Sequence, residues 1–157
     1  MSVADIGAGT GLFTRLFAET VGRRGKVYAV DISRPFIDNI LRMPRKKNQA
    51  PIVGIVNSPT DTLLPPGSID LAFISDTYHH FEAPEPTMKS IHRALRPKGL
   101  LVVIDFKREP GKSSPWVIEH VRGGKAETIA EIERAGFKLI EDRDFLRDNY
   151  FLKFKKI

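Results

Sequence analysis

The stretch VADIGAGTGLF, residues 3–13, places three glycines between a short apolar run and a helical pattern. Residues 3–6 are a candidate buried strand, and apolar residues then recur at helical spacing from Leu12 until Gly22. Glycines in the turn between two such elements allow positive φ angles and let the backbone approach a ligand closely. The stretch therefore predicts a strand, a glycine-rich turn and a helix whose free N–H groups lie beside that turn.

The same unit repeats along the first two thirds of the chain. A second strand is predicted at residues 26–32, followed by a helix that Ser33 caps, that has Pro35 in its first turn and that ends before Pro44. Further strands are predicted at residues 52–56, 69–75 and 100–106, with a helix over residues 85–95. Residues 57–68 are predicted to form a loop with one helical turn at residues 60–63.

The C-terminal part departs from this repeat. A polar loop over residues 107–115 and a helix over residues 125–135, closed by Gly136, precede two strand candidates at residues 137–145 and 149–156. Because no helix separates these two strands, they are predicted to form an antiparallel hairpin. The fold class predicted is α/β: a doubly wound, mostly parallel, seven-stranded Rossmann-like sheet with a C-terminal antiparallel hairpin.

The composition limits the class of protein. The chain has 157 residues, of which 41% are apolar and 28% are charged, so residues 1–157 are expected to form a single domain. No run approaches the roughly 18 apolar residues of a membrane span, so we expect a cytoplasmic protein and no membrane partner. The net charge is +6, but no aromatic residues interleave the basic runs, and nucleic acid is therefore not expected as a partner.

Metal binding is not expected from the sequence. The chain has no cysteine and only four histidines, which leaves few of the ligands that zinc sites use. Asp76, together with Asp105 on the next predicted strand, does not supply the several oxygen ligands of a magnesium-type site. The lack of cysteine also excludes reactions that need a thiolate nucleophile.

A carboxylate after the second strand indicates a nucleoside. Ligands of such sheets bind beyond the carboxyl ends of the strands, and Asp31 stands there, 20 positions after Gly11, where it can accept hydrogen bonds from both ribose hydroxyls. The dinucleotide fingerprint is G-x-G-x-x-G, whereas here Leu12 stands where its third glycine would be. A nucleoside-containing cofactor is therefore predicted, and NAD is disfavoured.

Four segments carry a resemblance to a known family, and together they extend over most of the chain. They are DIGAGTG at 5–11, VYAVDIS at 27–33, LPPGSIDLAF at 64–73 and RALRPKGLLVVIDF at 93–106. In these segments the sequence resembles the class I S-adenosylmethionine-dependent methyltransferases, and most closely their small-molecule branch, which is similar to the quinone-biosynthesis methyltransferases. The resemblance implies S-adenosylmethionine as the cofactor and a small molecule as the methyl acceptor.

The resemblance also implies roles for individual residues. Gly7, Ala8, Gly9 and Gly11 would pass under the methionine part of the cofactor, and Asp5 would help to bind its amino group. Asp31 would hold the ribose diol, with Ile32 beside the adenine. Ser75, at the end of the fourth strand, is also expected to bind the cofactor.

Two departures from the family pattern are visible. Where the family usually has Gly-Asp after the third strand, the chain has Asn57-Ser58, so Ser58 is the candidate contact for the adenine amino group, with Asp61 as the alternative. Family members also carry one or two helices before the first strand. The expectation is that the sequence is a fragment, that the site is unusually open, or that a second copy or a partner chain completes the lid.

The segment SDTYHHFEAPEP, residues 75–86, is predicted to hold the acceptor chemistry because it follows the fourth strand directly. An acceptor that carries a proton needs a base, for which His79 or Asp76 is the candidate, with Tyr78 as a positioning group. His80 is expected to serve packing or helix capping. His92 and His120 are not expected to be catalytic, although His120 and Trp116 are candidates for lining the pocket.

Three functions remain open at this level. The first is a methyltransferase that acts on a small molecule at oxygen, nitrogen or carbon. The second is a module that binds S-adenosylmethionine without catalysis, and the third, disfavoured by the glycine spacing, is an NAD-linked oxidoreductase. Methylation of nucleobase amines is disfavoured because residues 76–79 lack the Asn/Asp-Pro-Pro-aromatic motif.

Overall fold

The computed structural model describes residues 1–157, whose strands all join one sheet. The strands are β1 Ser2–Ile6, β2 Lys26–Asp31, β3 Ile52–Val56, β4 Ile69–Ser75, β5 Leu95–Phe106, β6 Phe137–Arg143 and β7 Asn149–Lys156. They lie in the order β3-β2-β1-β4-β5-β7-β6. The first five are parallel, and β7 runs antiparallel to both β5 and β6. The predicted doubly wound, mostly parallel sheet with a C-terminal hairpin is confirmed.

Helices cover both faces of this sheet. They are α1 Leu12–Val21, α2 Arg34–Arg42, α3 Pro84–Ala94, α4 Pro115–His120 and α5 Lys125–Arg134, with a 3₁₀ turn at Tyr78–His80. Side chains alternate between the faces of a strand, and β2 shows this directly, because Tyr28 and Val30 join the main core with α3 and α5 whereas Ala29 packs with α2. Both faces of the central strands are therefore buried, which explains their near-continuous apolar sequences.

The chain reverses its direction of travel across the sheet between β3 and β4. After β1 it moves outward through β2 to β3, and it then returns to place β4 on the other side of β1. The loops that follow β1 and β4 consequently diverge at the same edge, which creates the crevice in which ligands of such sheets bind.

Three local features differ from the sequence expectation. Residues 57–68 contain no helical turn, because Leu63 has a φ of 58° and the Ser58 hydroxyl accepts the Asp61 N–H at 3.0 Å. Strand β5 begins at Leu95 rather than at residue 100, with Lys98 at a φ of 64° in its irregular first part. The six-residue α4, capped by Ser114, and the 3₁₀ turn are too short to leave a periodic signal in the sequence.

The helix ends agree well with the glycine positions. Helix α1 ends at Val21 before Gly22, and Gly136 follows α5 with a φ of 96°, the left-handed conformation expected there. None of the helices is long and apolar enough to cross a bilayer.

Candidate functional site

The turn after β1 requires its glycines for three different reasons. Gly7, Gly9 and Gly11 all have positive φ angles, of 76°, 52° and 81°. A Cβ on Gly7 would lie 2.3 Å from the Thr77 side chain, and one on Gly11 would lie 2.7 Å from Ile40, so these two positions are filled by neighbours. A Cβ on Gly9 would approach nothing closer than the Gly7 carbonyl oxygen, at 4.0 Å, and Gly9 is therefore the glycine that leaves room for a ligand.

Asp31 ties this turn to the end of β2. Its Oδ2 accepts the Gly9 N–H at 2.9 Å, and its Oδ1 accepts the Ser33 N–H at 2.8 Å. Each carboxylate oxygen has two lone pairs, so both can still accept a hydroxyl proton from a ligand. The carboxylate is thus held in place by the backbone of the two segments that border the crevice.

A cleft of about 440 Å³ opens at this edge of the sheet, a volume in the range of small-ligand sites. Its lining brings together seven of the residues singled out in the sequence: Gly7, Gly9, Asp31, Ile32, Asn57, Ser75 and Asp76. Asp5, Ala8, Gly11 and Ser58 do not line the cleft but lie in or behind the same loops. The cofactor roles of these residues stay predictions, while the geometry places most of them on one surface.

Asp5 lies beneath the glycine turn. It is 3% exposed, and its Oδ2 accepts the Thr14 hydroxyl proton at 2.6 Å. Burial raises the pKa of the Asp5 carboxyl to about 6, although its hydrogen bonds to Thr14 act in the opposite direction. The carboxyl thus fastens β1 to α1, and its predicted contact with the methionine amino group stays a prediction.

The loop after β3 presents Asn57 rather than an acid to the cleft. The Ser58 hydroxyl is engaged with the backbone of Asp61, and Asp61 itself forms a two-point ion pair with Arg93 at 2.8 and 3.1 Å. The alternative in which Asp61 turns inward is therefore not what the structure shows. Asn57 and Pro59 are the residues of this loop that line the cleft, and the Asn57 amide donates to the Ser58 carbonyl at 2.8 Å.

Asp76 follows the end of β4 and lines the cleft. It is a non-glycine residue with a φ of 50°, a conformation that costs energy and is found preferentially at functional sites. Its Oδ1 accepts a hydrogen bond from the Asn149 side chain at 2.7 Å. Burial, followed by the nearby charge of Asp105, raises the pKa of Asp76 above its usual range. The strained backbone is typical of a functional site, and the raised pKa suits a carboxylate that takes up a proton.

The two adjacent histidines have different environments. His79 is buried, and its Nδ1 lies 2.7 Å from Oδ1 of Asp105, whereas its Nε2 has no hydrogen-bond partner. His80, expected from the sequence to serve packing or helix capping, is the histidine that lines the cleft. Burial and the neighbouring His79 and His120 lower the pKa of His80. The geometry therefore separates His79 from direct contact with an acceptor.

Tyr78 is not at the mouth of the cleft, which corrects the sequence expectation. It is 1% exposed and packs in the main core, where its hydroxyl donates to Glu131 at 2.8 Å. Glu131 is in turn held by Arg122 through two hydrogen bonds, and burial raises the pKa of Tyr78. A tyrosine enclosed in this way fixes the 3₁₀ turn against α5 and does not position an acceptor.

Several lining residues were not identified from the sequence. They include Phe36 on α2, Pro59 and Thr87, whereas the rim residues Thr77, Phe81 and Glu82 belong to residues 75–86, the segment predicted to hold the acceptor chemistry. Phe36 carried a signal, because it belongs to the apolar stripe of α2 yet is 41% exposed, while Ile37 and Ile40 of that stripe are buried. The others are polar or loop residues whose placement depends on the crossing of distant strands.

A second cavity, of about 760 Å³, lies between the loop after β5 and the hairpin of β6 and β7. It includes Trp116, so this residue lines the second cavity rather than the cleft. Its walls are mostly charged, with Lys, Arg, Asp and Glu side chains of both signs, many of them paired, as Lys125 is with Asp142 at 2.8 Å. The cavity contains none of the glycines or Asp31.

Comparisons with known proteins agree with this geometry. A family model described as a methyltransferase domain matches residues 4–103. The chain is 28% identical over 151 residues to a ubiquinone/menaquinone biosynthesis C-methyltransferase of Salmonella arizonae, which covers 93% of this chain and 56% of that protein. It is 30% identical over 113 residues to polyketide synthase 19 of Gibberella fujikuroi, covering 69% of this chain and 4% of that protein.

Solved structures share the fold. A crystal structure of an S-adenosylmethionine-dependent methyltransferase from Aquifex aeolicus superposes with a TM-score of 0.87 at 23% identity, over 100% of this chain and 82% of that chain. The chain spans only part of its curated relatives: 56% of the Salmonella arizonae protein and about one twentieth of the polyketide synthases.

Proposed function

Because the chain belongs to the class I S-adenosylmethionine-dependent methyltransferases, we propose that it transfers the methyl group of S-adenosylmethionine to a small-molecule acceptor. The observation that carries this proposal is the cleft at the reversal of strand order, where Gly9, Asp31 and Asn57 come together with Asp76. The residues proposed to bind the nucleoside and the candidate base therefore line the same cleft.

The residues of the cleft fit the cofactor. The carboxylate of Asp31 is suited to the ribose diol, and Ile32 and Phe36 offer apolar surface to an adenine ring. The open space above Gly9 suits the methionine part, since no side chain intrudes there. When bound, S-adenosylmethionine supplies an electrophilic methyl group on a sulfonium.

The acceptor side supports catalysis by positioning. Methyl transfer is an in-line displacement, and holding the acceptor atom on the axis of the S–CH₃ bond contributes about 7–11 kcal/mol in favourable cases. The rim residues Thr77, His80 and Phe81 border this approach, and Asp76 is placed to take the proton of an acceptor that carries one. His79, the other candidate base of the sequence analysis, has only its buried Nε2 free.

The relatives suggest where to look for the acceptor. One is named as a C-methyltransferase of ubiquinone and menaquinone biosynthesis, and others are named as polyketide synthases, which points to an organic molecule of the quinone or polyketide type. We propose an activated carbon or hydroxyl of such a molecule as the acceptor. The Asp76 carboxylate lines the cleft and can accept the proton that either group loses.

The test separates the proposal from its two alternatives. Calorimetric titration of the chain with S-adenosylmethionine, S-adenosylhomocysteine and NAD is expected to show binding of the first two only. Release of S-adenosylhomocysteine is then measured with a panel of phenols, quinol-type rings, β-keto thioesters and amines. Binding of NAD alone would contradict the proposal, and binding of the cofactor without turnover on any acceptor would favour the non-catalytic module.

Three further expectations belong to the proposal. We place the activity in the cytoplasm, for which fractionation of cells expressing the tagged protein is the test. Nucleic acid is not proposed as a partner, and a second copy or a partner chain over the cleft stays a prediction. Light scattering of the purified chain with and without S-adenosylhomocysteine tests the second copy.

A further inference from the structure

Three of the four histidines of the chain meet at one place. The 3₁₀ turn after β4 supplies His79 and His80, and the short helix α4 supplies His120. One ring nitrogen from each lies within 4.8 Å of the corresponding atom of the other two. We call these three residues the histidine cluster.

His79 brings an unsatisfied nitrogen to the cluster. Its side chain is 4% exposed, and its Nε2 is buried with no hydrogen-bond partner. The rings nearest to His79 are those of His80 at 4.0 Å and His120 at 5.4 Å between centroids, with Phe106 at 5.6 Å. A buried polar atom without a partner destabilises the folded state, so this nitrogen is a candidate ligand for a bound ion.

Asp105 prepares that nitrogen for a metal ion. Its carboxylate accepts the backbone N–H groups of His79 and Phe106 at 3.0 and 2.8 Å, and Nδ1 of His79 lies 2.7 Å from its Oδ1. A carboxylate acceptor keeps the proton on Nδ1, which leaves the lone pair on Nε2. A histidine oriented by a carboxylate in this way is the usual arrangement at metal sites.

The other two histidines can complete a coordination sphere. His80 and His120 are exposed, so their rings are able to turn toward His79 without repacking of the core. Zinc–nitrogen bonds of about 2.0–2.1 Å in a tetrahedron place the ligand atoms roughly 3.3 Å apart, so the cluster needs to contract by about 1.5 Å at most. The indole that stacks on His120, at 4.7 Å between ring centroids, belongs to Trp116, which is itself exposed.

We propose that His79, His80 and His120 bind one divalent transition-metal ion, with Asp105 as the residue that orients His79. Three imidazoles favour zinc, nickel, cobalt or copper over magnesium and calcium, which prefer oxygen ligands. Three protein ligands leave a fourth position open, as in catalytic rather than structural sites. This proposal goes beyond the methyltransferase function and runs against the sequence expectation that the chain binds no metal.

The location connects the ion with the cleft. His80 belongs both to the histidine cluster and to the cleft lining, beside Asp76 and Thr77. An ion bound through His80 therefore lies next to the cleft. Binding of the metal does not require S-adenosylmethionine, so it can be measured on the chain alone.

The experiment uses the chelator-treated 157-residue chain, titrated with zinc sulfate by calorimetry and with cobalt chloride to record the visible absorption of the bound ion. One ion per chain is expected, with no competition from magnesium at the same concentration. Loss of an orienting carboxylate weakens metal sites about 10- to 100-fold, so Asp105→Asn is expected in that range and His120→Ala at or beyond it. The control variant His92→Gln changes the one histidine outside the cluster and is expected to bind as the wild type does.

Each outcome decides the proposal. No binding by the wild type, unchanged affinity in His120→Ala, or an equal loss in His92→Gln would overturn it. His120 is exposed, so His120→Ala is expected to fold, and circular dichroism and thermal melting check this for every variant. S-adenosylmethionine affinity, measured in parallel on the same samples, shows whether the proposed methyltransferase function stands or fails independently of the metal.

Discussion

The carboxylate of Asp31 accepts the backbone N–H of Gly9 at 2.9 Å, and this bond joins the end of β2 to the one glycine of the turn that faces open space. The same carboxylate is the group assigned to the ribose diol. Asp31 therefore shapes the turn and is the residue that we propose to contact the ribose, so its removal is expected to affect both stability and binding.

The variant Asp31→Ala is expected to weaken S-adenosylmethionine binding about 10- to 100-fold, since a hydrogen bond to a charged group contributes about 1.5–3 kcal/mol. It also leaves the N–H groups of Gly9 and Ser33 without their acceptor. Calorimetric affinity and thermal melting measure the two effects. The control is Asp38→Asn, which removes an exposed carboxylate of α2 and is expected to change neither. Wild-type affinity in Asp31→Ala would contradict the assignment.

Replacement of Gly7 by alanine tests the contact between two loops. The added Cβ would lie 2.3 Å from the Thr77 side chain, and the alanine would have to adopt a φ of 76°. The free energy of unfolding is therefore expected to fall by about 2–4 kcal/mol. Gly111→Ala is the matched control, because Gly111 has a φ of 82° but no atom within 4 Å of an added Cβ. About 1–2 kcal/mol is expected there. Equal losses in denaturant unfolding of the two variants would show that the clash is relieved.

The buried carboxyl of Asp5 predicts a dependence of stability on pH. Its folded pKa, about 6, exceeds the ordinary value of 3.8, so between pH 4 and 6 the folded chain binds more protons than the unfolded chain. This contribution to stability is present below about pH 4 and is lost as the pH rises through 6, by about 3 kcal/mol in total.

The variant Asp5→Asn is expected to lack this dependence. Its stability relative to the wild type therefore rises from pH 4 to pH 7, as measured by urea unfolding at each pH. Asp148→Asn, at a carboxylate whose side chain is 70% exposed, controls for a general change in charge. A constant difference between Asp5→Asn and the wild type across this range would refute the prediction.

The enclosed position of Tyr78 predicts a structural role. Tyr78→Phe removes the hydrogen bond to Glu131 and is expected to lower the free energy of unfolding by about 1.5 kcal/mol, with kcat/KM near the wild-type value. Tyr150→Phe, which removes a hydroxyl bonded to neutral Thr128, is expected to cost about 0.5–1.5 kcal/mol. A large loss of kcat with unchanged melting would restore Tyr78 to the acceptor site.

The hydrogen bond between Asn149 and Asp76 predicts a shift in the pH profile of methyl transfer. The Asn149 amide lowers the pKa of Asp76, so Asn149→Ala is expected to raise that pKa. A base acts when it is deprotonated, and the acidic limb of kcat/KM therefore moves to higher pH for an acceptor that carries a proton. The exposed Asn48 provides the control Asn48→Ala, for which no movement is expected. If the acidic limb of the kcat/KM profile stays at the same pH in Asn149→Ala, Asp76 is not the base.

Much of the fold was accessible from the sequence because its signals are local. Strands β3 and β4 have the predicted bounds, since each is an apolar run flanked by residues that break secondary structure. Gly22 and Gly136 mark helix ends through their backbone conformations. The turn after β1 and Asp31 were found because a fixed spacing along the chain corresponds there to a fixed distance in space.

The acceptor side was less predictable because it depends on which way consecutive side chains turn. A single 3₁₀ turn holds three consecutive residues that face three different environments. Tyr78 lies in the core, His79 lies against Asp105, and His80 lines the cleft. Three residues are too few for a periodic pattern to separate these directions. The partner of His79 is 26 positions away, on a strand whose register only the assembled sheet determines.

The contact between Gly7 and Thr77 also bears on how enzymes of this architecture could diversify. The two residues belong to loops that the chain reaches 70 positions apart, yet neither can gain an atom toward the other. We therefore expect changes of substrate preference to occur at Phe81 and Glu82, farther along the rim, because a larger side chain at position 77 requires a matching change in the glycine turn.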